Sequence, residues 1–202
     1  KYSRFWENLF PYLRELTDVV ASYENRIMIF EDYPDGNYST KEQYLGFYGV
    51  NPEVSMPFNF EGLGAKFSAE SLSTMVNEFQ GMINPDVHTP VYCFSNHDQP
   101  RIATRFGGEE QARLIALMQL TLPGLPVVYY GDEIGMANAP IRFEEIQDKS
   151  VFSHGNDESV GRDPERTPMQ WDGAKNAGFS GAKPWLPVNP VSKKVNVAVQ
   201  QH

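Results

Sequence analysis

Short apolar runs alternate with helical patterns along most of this chain, and that alternation limits the folds open to it. Arg26-Ile27-Met28-Ile29-Phe30, Met56-Pro57-Phe58-Asn59-Phe60, Pro90-Val91-Tyr92-Cys93-Phe94 and Leu125-Pro126-Val127-Val128-Tyr129-Tyr130 each have strand length and a polar or turn-forming exit. Tyr2, Trp6, Leu9, Leu13, Leu16 and Val20 recur at steps of three and four, predicting a helix over about 3–23. Pro11 lies inside it, so a kink or a later start is expected. Because that apolar face begins almost at residue 1, the chain reads as one entered partway through a fold.

Thr40 to Gly46 allows one or two helical turns. Ser68 opens a helix carrying Leu72, Met75, Val76, Phe79 and Met82 on one side. A further helix over about 109–122 is expected to bury Leu114, Leu117, Met118 and Thr121, with Pro123-Gly124 ending it. The first strand is expected to be buried. Strands alternating with helices imply an α/β fold with a parallel sheet and helical crossovers. From about Met136 the alternation stops. Residues 138–202 are rich in Pro, Gly, Asn and Asp, and read as a long loop excursion or a poorly ordered tail.

Composition narrows the function. Among 202 residues there are 17 basic and 26 acidic ones, net charge −9, with no basic stripe. That argues against nucleic acid and anionic membranes as partners. The most apolar stretch, Leu114 to Tyr130, is broken by Gln119, Pro123, Gly124 and Pro126, so no membrane helix is expected. Cys93 is the one cysteine, set in an apolar strand, and is expected to be a small buried hydrophobe. Its isolation fits a reducing cytoplasm, with secretion of a disulfide-free protein left open.

Polar groups stand at every strand exit: Glu31, Asn59 and Glu61, His97 and Asp98, Asp132 and Glu133. In a parallel α/β sheet such ends gather on one face, where enzymes place their chemistry. Any one carboxylate there is more often a cap or an ion-pair partner. Several together favour a site.

Phe94-Ser95-Asn96-His97-Asp98 with Arg101 resembles the seventh-strand motif of the α-amylase family of glycoside hydrolases. Gly124-Leu125-Pro126-Val127-Val128-Tyr129-Tyr130-Gly131-Asp132-Glu133-Ile134-Gly135-Met136 resembles its eighth strand, and Met56 to Phe60 its sixth. Arg162-Asp163-Pro164-Glu165-Arg166-Thr167-Pro168-Met169-Gln170-Trp171-Asp172 is similar to a block of the oligo-1,6-glucosidase and maltase-type α-glucosidase branch, and Ala177 to Ser180 and Lys183 to Pro190 continue the likeness. The resemblance implies the second half of a TIM (β/α)8 barrel, about strands 5 to 8. Residues 1–137 would form the half-barrel, preceded by helix 4, and 138–202 the loop region of the same catalytic domain.

It also implies roles. Glu31 would be the general acid/base, and Asp98 would hold the sugar hydroxyls and stabilise an oxocarbenium-like transition state. His97, Arg166, Arg162 and Phe58 would contact the sugar, an α-glucoside or a sucrose-like disaccharide. For either Arg, an ion pair with Asp163 or Glu165 is the plainer alternative. Phe30 and Asp32 flank Glu31 where the family has small residues, and Asp32 is a second candidate acid. The family's nucleophile, an Asp after the fourth strand, has no match here. This chain is therefore expected to depend on the missing N-terminal half of the barrel, and to be inactive, self-associating or aggregating without it. No cofactor or metal is implied for this chain; calcium in a full enzyme stays open. Two alternatives are a sucrose isomerase or transglycosylase of the same branch, and a non-catalytic relative such as a transporter heavy-chain-like subunit.

Overall fold

The computed structural model describes residues 9–33 and 40–201. In chain order it holds α1 (Leu9–Ala21), β1 (Met28–Phe30), α2 (Thr40–Val50), β2 (Ser55–Pro57), α3 (Glu61–Gly64), α4 (Ala69–Met82), β3 (Val91–Cys93), α5 (Ile102–Phe106), α6 (Glu109–Thr121), β4 (Leu125–Val127), α7 (Lys149–Ser153) and α8 (Val197–Gln200), with short 3-10 turns between the later ones. The chain divides into two compact units. One gathers residues up to Cys93 together with Leu122–Val127, and the other holds Phe94–Thr121 and the chain from Val128 on.

All four strands lie in the first unit and pair in parallel. β1 sets Met28 opposite Ser55 and Phe30 opposite Pro57 of β2, while β3 sets Val91 opposite Leu125 and Cys93 opposite Val127 of β4. A parallel bridge between Asn59 and Tyr92 joins the two pairs. Its bonds run from Asn59 N–H to the Val91 carbonyl at 2.8 Å and from Cys93 N–H to the Asn59 carbonyl at 3.3 Å. This sequential parallel order is what helical crossovers impose.

Helix α4 behaves as its sequence predicts. The Ser68 hydroxyl accepts from Ser71 N–H at 3.1 Å, capping the start, and Met75 and Phe79 are buried. Phe79 meets Tyr44 of α2 and Tyr92 of β3 edge-on, with centroids 5.1 and 6.0 Å away. Helix α2 runs to three turns, longer than expected. Buried Tyr44, Phe47 and Tyr48 anchor it, and a Cβ at Gly46 would stand 2.5 Å from the Phe10 ring of α1. Helix α1 carries Pro11 in its first turn, where a missing N–H costs nothing. The proposed residues 3–8 of that helix and the turn residues 34–36 lie outside the described residues. Cys93 is buried and forms no disulfide.

Two expectations are corrected. Helix α6 buries Ala112, Ile115 and Gln119, and leaves Leu114 and Leu117 exposed. Its inward stripe carries an alanine and a glutamine, so hydrophobicity selects the wrong side. Strand β1 is not buried, since Ile29 is exposed; among the described residues β1 pairs with β2 alone.

In the second unit the region after residue 138 is ordered by side-chain bonds to backbone rather than by long elements. Asn189 donates to the Ala137 and Asn138 carbonyls at 3.1 and 3.3 Å. Asn196 caps α8 by accepting from Val199 N–H at 2.8 Å, and Gln200 donates to the Ile134 carbonyl at 2.9 Å. Val197 packs on a small core of Ile134, Met136 and Met169. Among the described residues no helix is long and apolar enough to cross a membrane.

Candidate active site

In the second unit the loop after Phe94 presents His97 and Asp98. Asn96 accepts from Asp98 N–H at 3.0 Å through its side-chain carbonyl, a local turn that shapes the loop backbone at Asp98. Two arginines that flank the 3-10 turn at Asp163–Glu165 reach it. Arg162 Nη1 donates to Asp98 Oδ1 at 2.9 Å and Arg166 Nη2 to the same oxygen at 2.6 Å. His97 Nε2 lies 3.5 Å from it. Among the described residues the partners of this carboxylate all meet Oδ1 and none bonds Oδ2. The Asp98 side chain is 26 % exposed and His97 52 %. One oxygen is thus held by two guanidinium groups.

Each arginine is braced behind its working end. Arg166 Nε donates to the His97 carbonyl at 2.7 Å. Arg162 Nε donates to Asp148 Oδ2 at 2.8 Å. Neither guanidinium forms an ion pair with Asp163 or Glu165; both pair with Asp98 instead, and Arg162 also with Asp148. Asp163 turns inward and accepts from the N–H groups of Gln147 and Asp148 at 2.5 and 2.9 Å. Glu165 is buried and accepts from Asn138 Nδ2 at 3.1 Å; burial pushes its carboxyl up to about 7. Beneath the loop, Arg101 is fully buried, packs against the rings of Tyr129 and Tyr130, and donates to the Tyr130 carbonyl at 2.6 Å.

Three other strand-exit groups serve the backbone. Asp132 accepts from Tyr129 N–H at 3.1 Å and from the Ser95 hydroxyl, and burial pushes it up to about 6. Glu133 accepts from Gly131 N–H at 2.6 Å. In the first unit, Asn59 accepts from Glu61 N–H at 2.9 Å. Glu31 follows β1 in that unit with its side chain exposed, and Asp32 beside it is half-buried. Phe58 follows β2 and stacks on Phe60 at 5.2 Å, which in turn stacks on Tyr33 at 4.3 Å. The sequence pointed to Asp98, His97, Arg162 and Arg166, and these four meet. It missed Asp148 and Asn138, which lie in stretches without periodicity and show their value only through their partners. No group of three or more potential metal ligands occurs among the described residues.

Comparison with known proteins gives the family. Residues 7–202 match the model of the alpha amylase catalytic domain. The chain is 37 % identical over 196 residues to the alpha-glucosidase of Apis mellifera, covering 94 % of this chain and 33 % of that protein. It is 32 % identical over 225 residues to the oligo-1,6-glucosidase of Bacillus cereus, covering 94 % and 39 %. Among solved structures, the alpha-glucosyl transfer enzyme XgtA superposes with a TM-score of 0.83 at 29 % identity, over 95 % of this chain and 35 % of that one. An inactive MutB variant in complex with isomaltulose gives 0.80 at 25 % identity, over 95 % and 40 %. The chain spans a third to two-fifths of the length of these relatives, and its fold is a portion of their catalytic barrel. It belongs to the α-amylase family of glycoside hydrolases.

Proposed function

We propose that this chain supplies βα units 5 to 8 of a retaining α-glucosidase acting on short α-glucans or disaccharides, in a full-length enzyme that adds the nucleophile from upstream. On this reading residues 1–137 belong to the half-barrel and 138–202 to the loop region of the same catalytic domain. The observation that carries the reading is the Asp98 carboxylate, clamped on Oδ1 by Arg162 and Arg166 with Oδ2 open. A charge fixed in this way offers a preorganised acceptor for two sugar hydroxyls and a counter-charge for a developing oxocarbenium ion, without reorganising during the reaction. His97 contributes a further contact, and Phe58 is carried over from the family likeness as a residue that meets the sugar.

In the first step Glu31 gives its proton to the glycosidic oxygen as the upstream carboxylate attacks the anomeric carbon, and the aglycone leaves as an alcohol. In the second, Glu31 removes a proton from water, which displaces the carboxylate and restores both groups. The chain alone lacks the attacking group and is inactive by itself. A transferase or sucrose-isomerase outcome is the second reading, favoured by XgtA and the isomaltulose-bound MutB among the similar structures. It shares every step up to the covalent intermediate and differs in the acceptor.

The test uses the full-length enzyme and a nitrophenyl α-glucoside. Glu31→Gln is expected to lower turnover by roughly 100- to 10,000-fold, the usual contribution of a general acid. Unchanged turnover would remove Glu31 from the mechanism, and hydrolysis by the pure 202-residue chain would refute its dependence on an upstream carboxylate. Product analysis on maltose and sucrose separates hydrolysis from transfer.

A further inference from the structure

We propose that Asp148 is a positioning residue for the reaction, setting the Arg162 guanidinium against Asp98 from behind; the proposal rests on the glycosidase reading of that site. The Asp148 side chain is 6 % exposed, whereas Arg162 is 38 % exposed. Oδ2 of Asp148 accepts from Arg162 Nε at 2.8 Å and from its backbone N–H at 3.1 Å. Oδ1 accepts from Ser150 N–H at 3.0 Å, capping α7, with Arg162 Nη2 at 3.4 Å.

The acid is itself fixed. Its own N–H donates to Asp163 Oδ2, which is buried one residue beyond Arg162. A closed relay results, in which Asp163 holds the backbone at 147–148, Asp148 holds one edge of Arg162, and Nη1 alone faces Asp98.

The division of the guanidinium is the argument. A half-exposed arginine side chain has many rotamers, and ordering it costs entropy. A side-on pairing through Nε and Nη2 removes that freedom before any ligand arrives, leaving Nη1 aimed 2.9 Å from Asp98. Arg166 is braced by a backbone carbonyl and needs no such acid. Removing the Asp148 charge leaves Arg162 free to swing into solvent, and Asp98 loses one of its two clamps. Asp148 touches neither Asp98 nor the position of a ligand on Oδ2, so its effect travels through Arg162.

A double-mutant cycle in the full-length enzyme tests this, using nitrophenyl α-glucoside hydrolysis. Asp148→Asn is expected to lower kcat/KM about 10- to 100-fold, mostly in kcat, because the Asp98 charge matters most at the transition state. In an Arg162→Ala background the same change is expected to alter kcat/KM less than twofold. Asp148→Glu is expected to recover part of the loss, and it carries the comparison if the Asn variant folds poorly. An equal cost in both backgrounds, or a loss in Asp148→Asn below twofold, overturns the proposal. Asp98→Asn is the separate control: full activity there would overturn the glycosidase reading of the site, whereas a large loss there with additive Asp148 and Arg162 effects would overturn only the role of Asp148.

Discussion

Stability of the folded protein is expected to fall as pH rises through the mildly acidic range, and Asp132 is the group to test. Its carboxyl ordinarily ionises near 3.8 and in the fold is pushed up to about 6, chiefly by burial against the smaller pull of the Ser95 hydroxyl and Tyr129 N–H. Between those values the unfolded chain has released its proton while the native one keeps it. The unfolded state then binds fewer protons, and stability declines with pH by about 1.4 kcal/mol per unit. Over two units that amounts to up to about 3 kcal/mol, complete above pH 6 and absent below pH 4. Asp132→Asn removes the titration while keeping an acceptor for Tyr129 N–H. Urea unfolding of both proteins from pH 4 to pH 8 gives a difference in which all other groups cancel. The variant is expected to gain on the wild type by up to about 3 kcal/mol across that range. A difference that stays flat with pH would refute the assignment of a raised carboxyl at this strand exit.

Two further predictions concern packing. Gly131 has φ +91°, and a Cβ there would lie 2.6 Å from Arg101 Nη1 and 2.8 Å from Met136 Sδ. Gly131→Ala combines left-handed backbone strain with overpacking and is expected to cost about 2 to 5 kcal/mol, read as a lower urea midpoint. Phe79→Ala empties the space between Tyr44 and Tyr92 and is expected to cost about 3 to 5 kcal/mol, with a matching fall in Tm; a loss below 1 kcal/mol would place Phe79 outside the core.

Periodicity made most of the fold legible. Phe79 and Met75 lay on the predicted face of α4, and the strand–helix alternation anticipated the parallel pairing of Met28 with Ser55 and Val91 with Leu125. Helix α6 resisted because a buried Gln119 and a small Ala112 carry no hydrophobic signal, while its exposed leucines do. The site divides in a similar way. Asp98 and the two arginines could be picked out because their residue types stand in family-like blocks. Asp148 could not, since its value depends on a fold that brings it 14 residues in sequence back onto Arg162. Asp132 and Glu133 had the composition of a site and proved to hold backbone N–H groups instead.

The clamp on Asp98 also has a consequence in time. Its two arginines lie 64 and 68 residues further along the chain. At about 5 to 20 residues per second of synthesis, the carboxylate emerges on the order of 3 to 14 seconds before Arg166 is made. Long-range closures of this kind are late events in folding, because the loop entropy must be lost before the contact forms. The strands can therefore pair while the site is still unassembled, and a nascent or nicked chain ending before residue 162 would hold the acid without its clamp. Competence of the site would then report completion of the loop region, rather than formation of the sheet.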